Sequence, residues 1–245
     1  MVPATAVIAA VGLAALGVLV ATGHAATFDQ WSADSLMPYQ DRPLSQPGLW
    51  DQLMSPLAAV TRSGNDLPSR LLFASTLPAA PLAASVAAAL GILALAARGQ
   101  QRRALVWTLT LVSCAVAEAG IKALVERPLI HKYDVVRQTT VTKDSFNHSF
   151  PSGHTVRGLL LAFLIAELVP ALRPVLAAWL LVMSAGLVLT SMHTPTDVAG
   201  GTLLAVFALV MLNRERARCR LRPANNPRNP QTGSIEEPLA PGGVP

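Results

Sequence analysis

Charge is scarce in this chain, and the scarcity excludes an ordinary water-soluble domain. Only 13% of the 245 residues are charged, against roughly 25% in soluble domains, while 52% are hydrophobic; a membrane protein is expected. Cysteine is nearly absent too. Cys114 falls inside an apolar run and Cys219 in a basic tail, a placement that excludes pairing, a disulfide framework and a cysteine metal site. The N-terminus lacks a basic leader, although its first apolar stretch ends in small residues, Ala25 and Ala26, as a secretory signal does. Signals carry that leader, so the stretch is expected to be a retained helix.

What the chain has is long apolar runs. A spanning helix needs about 20 such residues, and six runs qualify, at about residues 2–21, 71–97, 104–125, 155–172, 174–192 and 196–212. Their length, with so much Ala and Leu, decides for helix over strand. The expected fold is all-α: a polytopic six-transmembrane-helix bundle occupying residues 1–222. Two outer connections, at about 22–70 and 126–153, precede a disordered cytoplasmic tail at 223–245 that is rich in Pro, Asn and Gly.

Positive charge sets the orientation, because Lys and Arg beside spans stay cytoplasmic. Arg98, Arg102 and Arg103 follow the second run, Arg173 follows the fourth, and Arg214, Arg216, Arg218, Arg220 and Arg222 follow the sixth. These segments share one side, so both termini are expected in the cytoplasm. The net charge of +5 owes much to that last cluster, which suits anionic headgroups rather than nucleic acid. The outer side then receives the 22–70 connection, with Asp29, Asp34, Asp41, Asp51 and Asp66, and every polar group that could do chemistry.

Those groups fall in three places. Lys122 lies near the outer end of the third run, one turn after Glu118, and Arg127 follows with a planar fork suited to phosphate oxygens. A structural ion pair with a snorkelling lysine and a phosphate-neutralising lysine are both open readings. Pro151-Ser152-Gly153-His154 opens the fourth helix, where unpaired amides and the positive dipole end make an anion site, or a simple helix start. His193 precedes Thr194, Pro195 and Asp197 at the sixth helix, with Thr194 as cap and Pro195 as first helical residue. The i to i+4 spacing lets Asp197 hold one ring nitrogen and free the other for attack. Stabilisation of the helix start and metal ligation compete with that reading, and the nearby lysine and arginine oppose a divalent ion.

In order and in helix placement, these segments resemble the three signatures of the type 2 phosphatidic acid phosphatase superfamily, over the region from the third helix to the sixth. The resemblance implies a metal-free and cofactor-free site at the outer membrane face. In it His193 forms a phosphohistidine, Asp197 orients it, and His154 protonates the leaving oxygen and then activates water. Lys122, Arg127, Ser152 and the Gly153 amide would hold the phosphoryl oxygens. It also implies a lipid phosphate or polyprenyl pyrophosphate as substrate: a multi-pass cell-membrane hydrolase among lipids, with no oligomeric state specified.

Two departures stand out. The Arg-Pro pair expected at Leu129 and Ile130 occurs earlier, at Arg127-Pro128, and an arginine expected before the catalytic histidine is replaced by Leu187. Arg157, one turn after His154, is the candidate to supply that charge, ahead of Arg137 and Lys143 in the outer loop. His131 and His148 match nothing in the pattern and read as solvated loop residues. Non-catalytic binding of lipid phosphate and phosphoryl transfer to another acceptor remain the competing functions.

Overall fold

The computed structural model describes residues 3–36, 67–128, 130–134, 139–143, 148–190 and 192–221. In chain order the helices are α1 (Ala4–Ala21), α2 (Ala26–Leu36), α3 (Leu67–Thr76), α4 (Pro81–Ala97), α5 (Gln101–Leu124), α6 (Gly153–Leu168), α7 (Arg173–Leu189) and α8 (Pro195–Leu221). Between α5 and α6 two strands, β1 (Ile130–Asp134) and β2 (Thr139–Lys143), pair antiparallel with Ile130 opposite Lys143. The bundle itself is helical throughout; the hairpin is confined to the connection that was expected to be a loop. The first four residues of its second strand, Thr139-Thr140-Val141-Thr142, are β-branched, the residue class that suits a pleated surface.

Local chemistry accounts for where the helices begin and end. Gly23 and Gly99 adopt φ of 79° and 75° just past α1 and α4, the left-handed closure that glycine makes at least cost. Pro81, Pro174 and Pro195 stand in the first turns of α4, α7 and α8, where a missing N–H loses no helical bond. Helix α8 continues through the arginine run to Leu221.

Two expectations about spans are corrected. The run at 71–97 is not one helix: a 3-10 turn, Leu77–Ala79, separates α3 from α4, and the pair is bent by 51°. Pro81 causes the break, because it offers no N–H and forces Ala80 into an extended conformation (φ −60°, ψ 147°). The run at 155–172 is also shorter than expected. Helix α6 has 16 residues and gives way to a 3-10 turn, Pro170–Leu172; at 1.5 Å per residue it is about 24 Å long, short of a hydrocarbon core of about 30 Å. Among the described residues four helices are long and apolar enough to cross a membrane, or five if the bent pair is one span.

The short helix is the central one. Helix α6 packs against α4, α7 and α8, burying Val156, Leu160, Leu161 and Leu164. With Leu95, Trp107, Cys114, Leu204, Leu209 and Leu212, its Val156, Leu160 and Leu164 form the main apolar core. Helix α1 lies on α8, and α3 on α7. Peripheral helices turn large apolar side chains outward, among them Ile8, Val11, Leu90, Leu93, Val116 and Leu181. Exposed apolar faces of that extent suit lipid rather than water.

Candidate active site

The C-terminal end of α5 and the N-terminal ends of α6 and α8 come together at one end of the bundle. Ser152 caps α6: its hydroxyl oxygen accepts from the Thr155 amide at 3.3 Å and from the Thr155 hydroxyl at 3.1 Å. Its own amide donates to the Asp197 carbonyl at 2.9 Å, which docks the start of α6 onto the start of α8. A capping box starts α8. The Thr194 amide donates to Asp197 Oδ2 at 3.1 Å, and the Asp197 amide donates to Thr194 Oγ1 at 3.4 Å.

Asp197 Oδ2 also lies 3.3 Å from His193 Nδ1. A carboxylate only accepts, so Nδ1 is the donor of this bond, which in the neutral ring leaves Nε2 as the unprotonated nitrogen. The backbone amide of His193 donates to the Leu187 carbonyl at 3.0 Å, which anchors the main chain while Asp197 orients the ring. The rings of His193 and His154 meet edge-on, with centroids 5.7 Å apart and planes at 63°. The structure thus brings His154 up to the His193–Asp197 pair, which lies far from it in the chain.

Cations flank the histidines in two distinct settings. Glu118 bridges the first pair: Oε1 is 2.7 Å from Lys122 Nζ and Oε2 is 3.2 Å from Arg157 Nη1. Arg157 Nε also donates to the Ala79 carbonyl at 3.1 Å. The Glu118 carboxylate presses on Gly153, where any Cβ would collide with it and would lie 2.8 Å from Arg157 Nη1. Glycine therefore admits an acid and two cations to the N-terminus of α6. Leu187, where the superfamily pattern carries arginine, is fully buried and packs with Ala79 and Met183. Ala79, whose carbonyl Arg157 bonds, thus belongs to the same apolar cluster as Leu187.

Two residues expected to hold phosphate also make contacts within the protein. Ser152 is fully buried and its hydroxyl oxygen is committed to the cap. Arg127 is buried among carboxylates and hydroxyls, with Nη2 2.7 Å from Asp29 Oδ2 and Nη1 3.3 Å from Asp197 Oδ1. Thr194 and Thr196 each accept from it at 3.0 Å, and the Thr196 hydroxyl donates to Asp29 Oδ2 at 2.7 Å. The two-residue displacement of Arg-Pro along the sequence coincides with this inward placement.

Sequence reasoning did not single out Asp29. It comes from α2, whose buried face is Asp29, Ser32 and Ala33; an acid at the head of an i, i+3, i+4 buried stripe is the signal that could have found it. Burial pushes its carboxyl above the ordinary range, against the pull of Arg127 and the Thr196 hydroxyl and with a further push from Asp197. Its second oxygen has no hydrogen-bond partner among the described residues. His148 is exposed and places Nδ1 3.1 Å from the Lys122 carbonyl, at the rim of the site. The side chains of His131 and Lys143, and all of Arg137, lie outside the described residues. Among the described residues no cluster of His, Cys, Asp and Glu could hold a metal ion.

Residues 105–219 match the family model of the PAP2 superfamily, a segment that contains Lys122, Arg127, Ser152, Gly153, His154, Arg157, His193 and Asp197. No curated protein and no solved structure matches the chain. The match supports a phosphatase-type function and, with the apolar helices, a multi-pass membrane protein. The helices that build the site, residues 105–219, belong to the PAP2 superfamily, the superfamily of the type 2 phosphatidic acid phosphatases.

Proposed function

We propose that this chain is an integral membrane phosphatase that hydrolyses a lipid or polyprenyl phosphate or pyrophosphate monoester at the extracytoplasmic face, through a phosphohistidine. Six spans are inferred, with α3 and α4 together as one and α6 as the short, enclosed centre of the bundle. Arg98, Arg102, Arg103, Arg173 and Arg214 stand at helix ends remote from His154 and His193, which supports cytoplasmic termini and an outer site.

The observation that carries the reading is the histidine pair: His193 has Nδ1 at Asp197 and faces the His154 ring 5.7 Å away. In the first step the Nε2 lone pair of His193 forms the N–P bond while the P–O bond to the lipid breaks, and protonated His154 gives its proton to the departing oxygen. In the second, neutral His154 takes a proton from water, whose oxygen bonds to phosphorus as the N–P bond breaks. Phosphate leaves and both rings regain their starting states. Lys122, Arg157 and the amides opening α6 at Gly153 face the charge that builds on the phosphoryl oxygens, and Arg127 supports Asp197 from behind.

The test is phosphate release in detergent from phosphatidic acid, phosphatidylglycerol phosphate and a polyprenyl pyrophosphate. Release by the wild type that falls roughly a thousandfold or more in His193→Ala, with labelled phosphate retained on the wild-type protein after alkaline quench, supports the proposal. No histidine-dependent release from any of the three leaves non-catalytic binding of lipid phosphate as the better reading.

A further inference from the structure

We infer that Asp29, carried by α2 and lying outside the family-matched segment, is a positioning residue of this site. It holds the Arg127 guanidinium against Asp197 and thereby sets the orientation and basicity of His193. The inference rests on the phosphatase reading for its kinetic consequences and on geometry for its substance.

The geometry is a buried relay of charges. Asp29, Arg127 and Asp197 expose 2%, 2% and 0% of their side chains, so their interactions are little screened by water. Asp29 Oδ2 accepts from Arg127 Nη2 and from Thr196 Oγ1, each at 2.7 Å. The other arm of the guanidinium, Nη1, reaches Asp197 Oδ1 and Thr194 Oγ1. Asp197 then meets His193 through its other oxygen. One arginine thus ties α2 to Thr194 and Asp197 at the start of α8, and the planar fork is what lets a single side chain serve two carboxylates.

A sign follows for His193. Arg127 alone would draw Asp197 away from the imidazole and disfavour the imidazolium; the negative charge of Asp29 offsets that pull. Removing it makes the surroundings of His193 more positive, so the ring protonates only at lower pH. The other groups around the two histidines, Lys122 and Glu118 from α5 and Arg157 from α6, are unchanged by a substitution in α2, so a shift isolates Asp29.

The experiment uses the full chain in detergent with phosphatidic acid and a polyprenyl pyrophosphate as probes, comparing wild type, Asp29→Asn and Asp29→Glu. In Asp29→Asn, kcat is expected to fall about 10–100-fold, the usual effect of losing a residue that orients a reactive ring, with KM little changed. The acid limb of kcat/KM moves to lower pH, and Asp29→Glu restores the limb. A limb that does not move, or a kcat equal to wild type, overturns the inference, because a merely structural acid would not set that limb. The His193 ring titration, followed by NMR in each variant, needs no turnover: it is expected to fall in Asp29→Asn, and an unshifted titration overturns the coupling. If Asp29→Asn does not fold, Asp29→Glu decides: a folded variant with the wild-type titration and limb supports a carboxylate requirement, and loss of both with Glu in place overturns it. A wild type that releases no phosphate from either probe sinks the phosphatase reading instead, and the titration still judges Asp29.

Discussion

Gly153→Ala places one methyl group where the structure already holds a carboxylate. The new Cβ would overlap the Glu118 carboxylate, with Cδ 2.7 Å away, and would lie 2.8 Å from Arg157 Nη1. A glutamate is flexible and can swing aside, so the clash with Glu118 alone is cheap; the cost lies in what the carboxylate holds. It is bound to Lys122 at 2.7 Å and to Arg157 at 3.2 Å, and the three side chains are 11%, 29% and 26% exposed. Partly exposed ion pairs, discounted for solvent screening, contribute about 1 kcal/mol each, and overpacking costs about 1–3 kcal/mol. Alanine returns up to about 1 kcal/mol of helix propensity, so a net loss of about 1–2 kcal/mol is expected. Activity should fall further than stability, because Lys122 and Arg157 lose the acid that keeps them in register, and a misplacement of about 1 Å can cost about a hundredfold. The assay is a double-mutant cycle with Glu118→Ala, read by thermal unfolding and by phosphate release. In the wild-type background Glu118→Ala destabilises; in the Gly153→Ala background it relieves the clash and stabilises. Equal effects in both backgrounds, within the roughly 0.3–0.5 kcal/mol of independent sites, would refute the reasoning.

Arg127→Ala leaves Asp29 and Asp197 buried without their counter-charge, and breaking such a pair costs about 3–5 kcal/mol. Unfolding in detergent should show that loss, a smaller one in Arg127→Lys, and a stable Arg127→Ala protein would contradict the placement of Arg127. Gly186→Ala would set a Cβ 2.7 Å from the Leu72 carbonyl oxygen, a backbone atom that cannot swing aside. Helices α3 and α7 must separate at a cost of about 1–3 kcal/mol, and unchanged thermal stability would show that their approach is looser than described.

The legible part of the site lies at helix ends. Lys122 one turn after Glu118, the Pro151-Ser152-Gly153-His154 start and His193 four residues before Asp197 are local spacings, and helical geometry makes such neighbours visible in a string of letters. Partners across the bundle are not visible in that way. Asp29 and Arg127 are 98 residues apart, and nothing local to either says that they meet. For the same reason Arg127 read as a cation facing substrate, whereas the fold turns it inward onto two carboxylates. Composition predicted helices well because apolar length decides them, but the run at 71–97 concealed its break. Pro81 is a strong local signal there, overridden in the sequence reading by the continuity of the apolar letters around it. The hairpin was missed because its β-branched stretch, 139–142, is short and flanked by polar residues.

That break in the bent pair has a chemical yield. Where the chain restarts as α4, the Ala80 carbonyl accepts from the Ala84 amide at 2.9 Å, and the preceding carbonyl, Ala79, is taken by the guanidinium of Arg157. An unbroken helix would have spent that oxygen on its own ladder and left the arginine without this acceptor. The kink acts as a fixed dipole that replaces part of the hydration shell of a half-buried guanidinium. Straightening the helix would therefore alter the electrostatics of the site while leaving every charged residue in place.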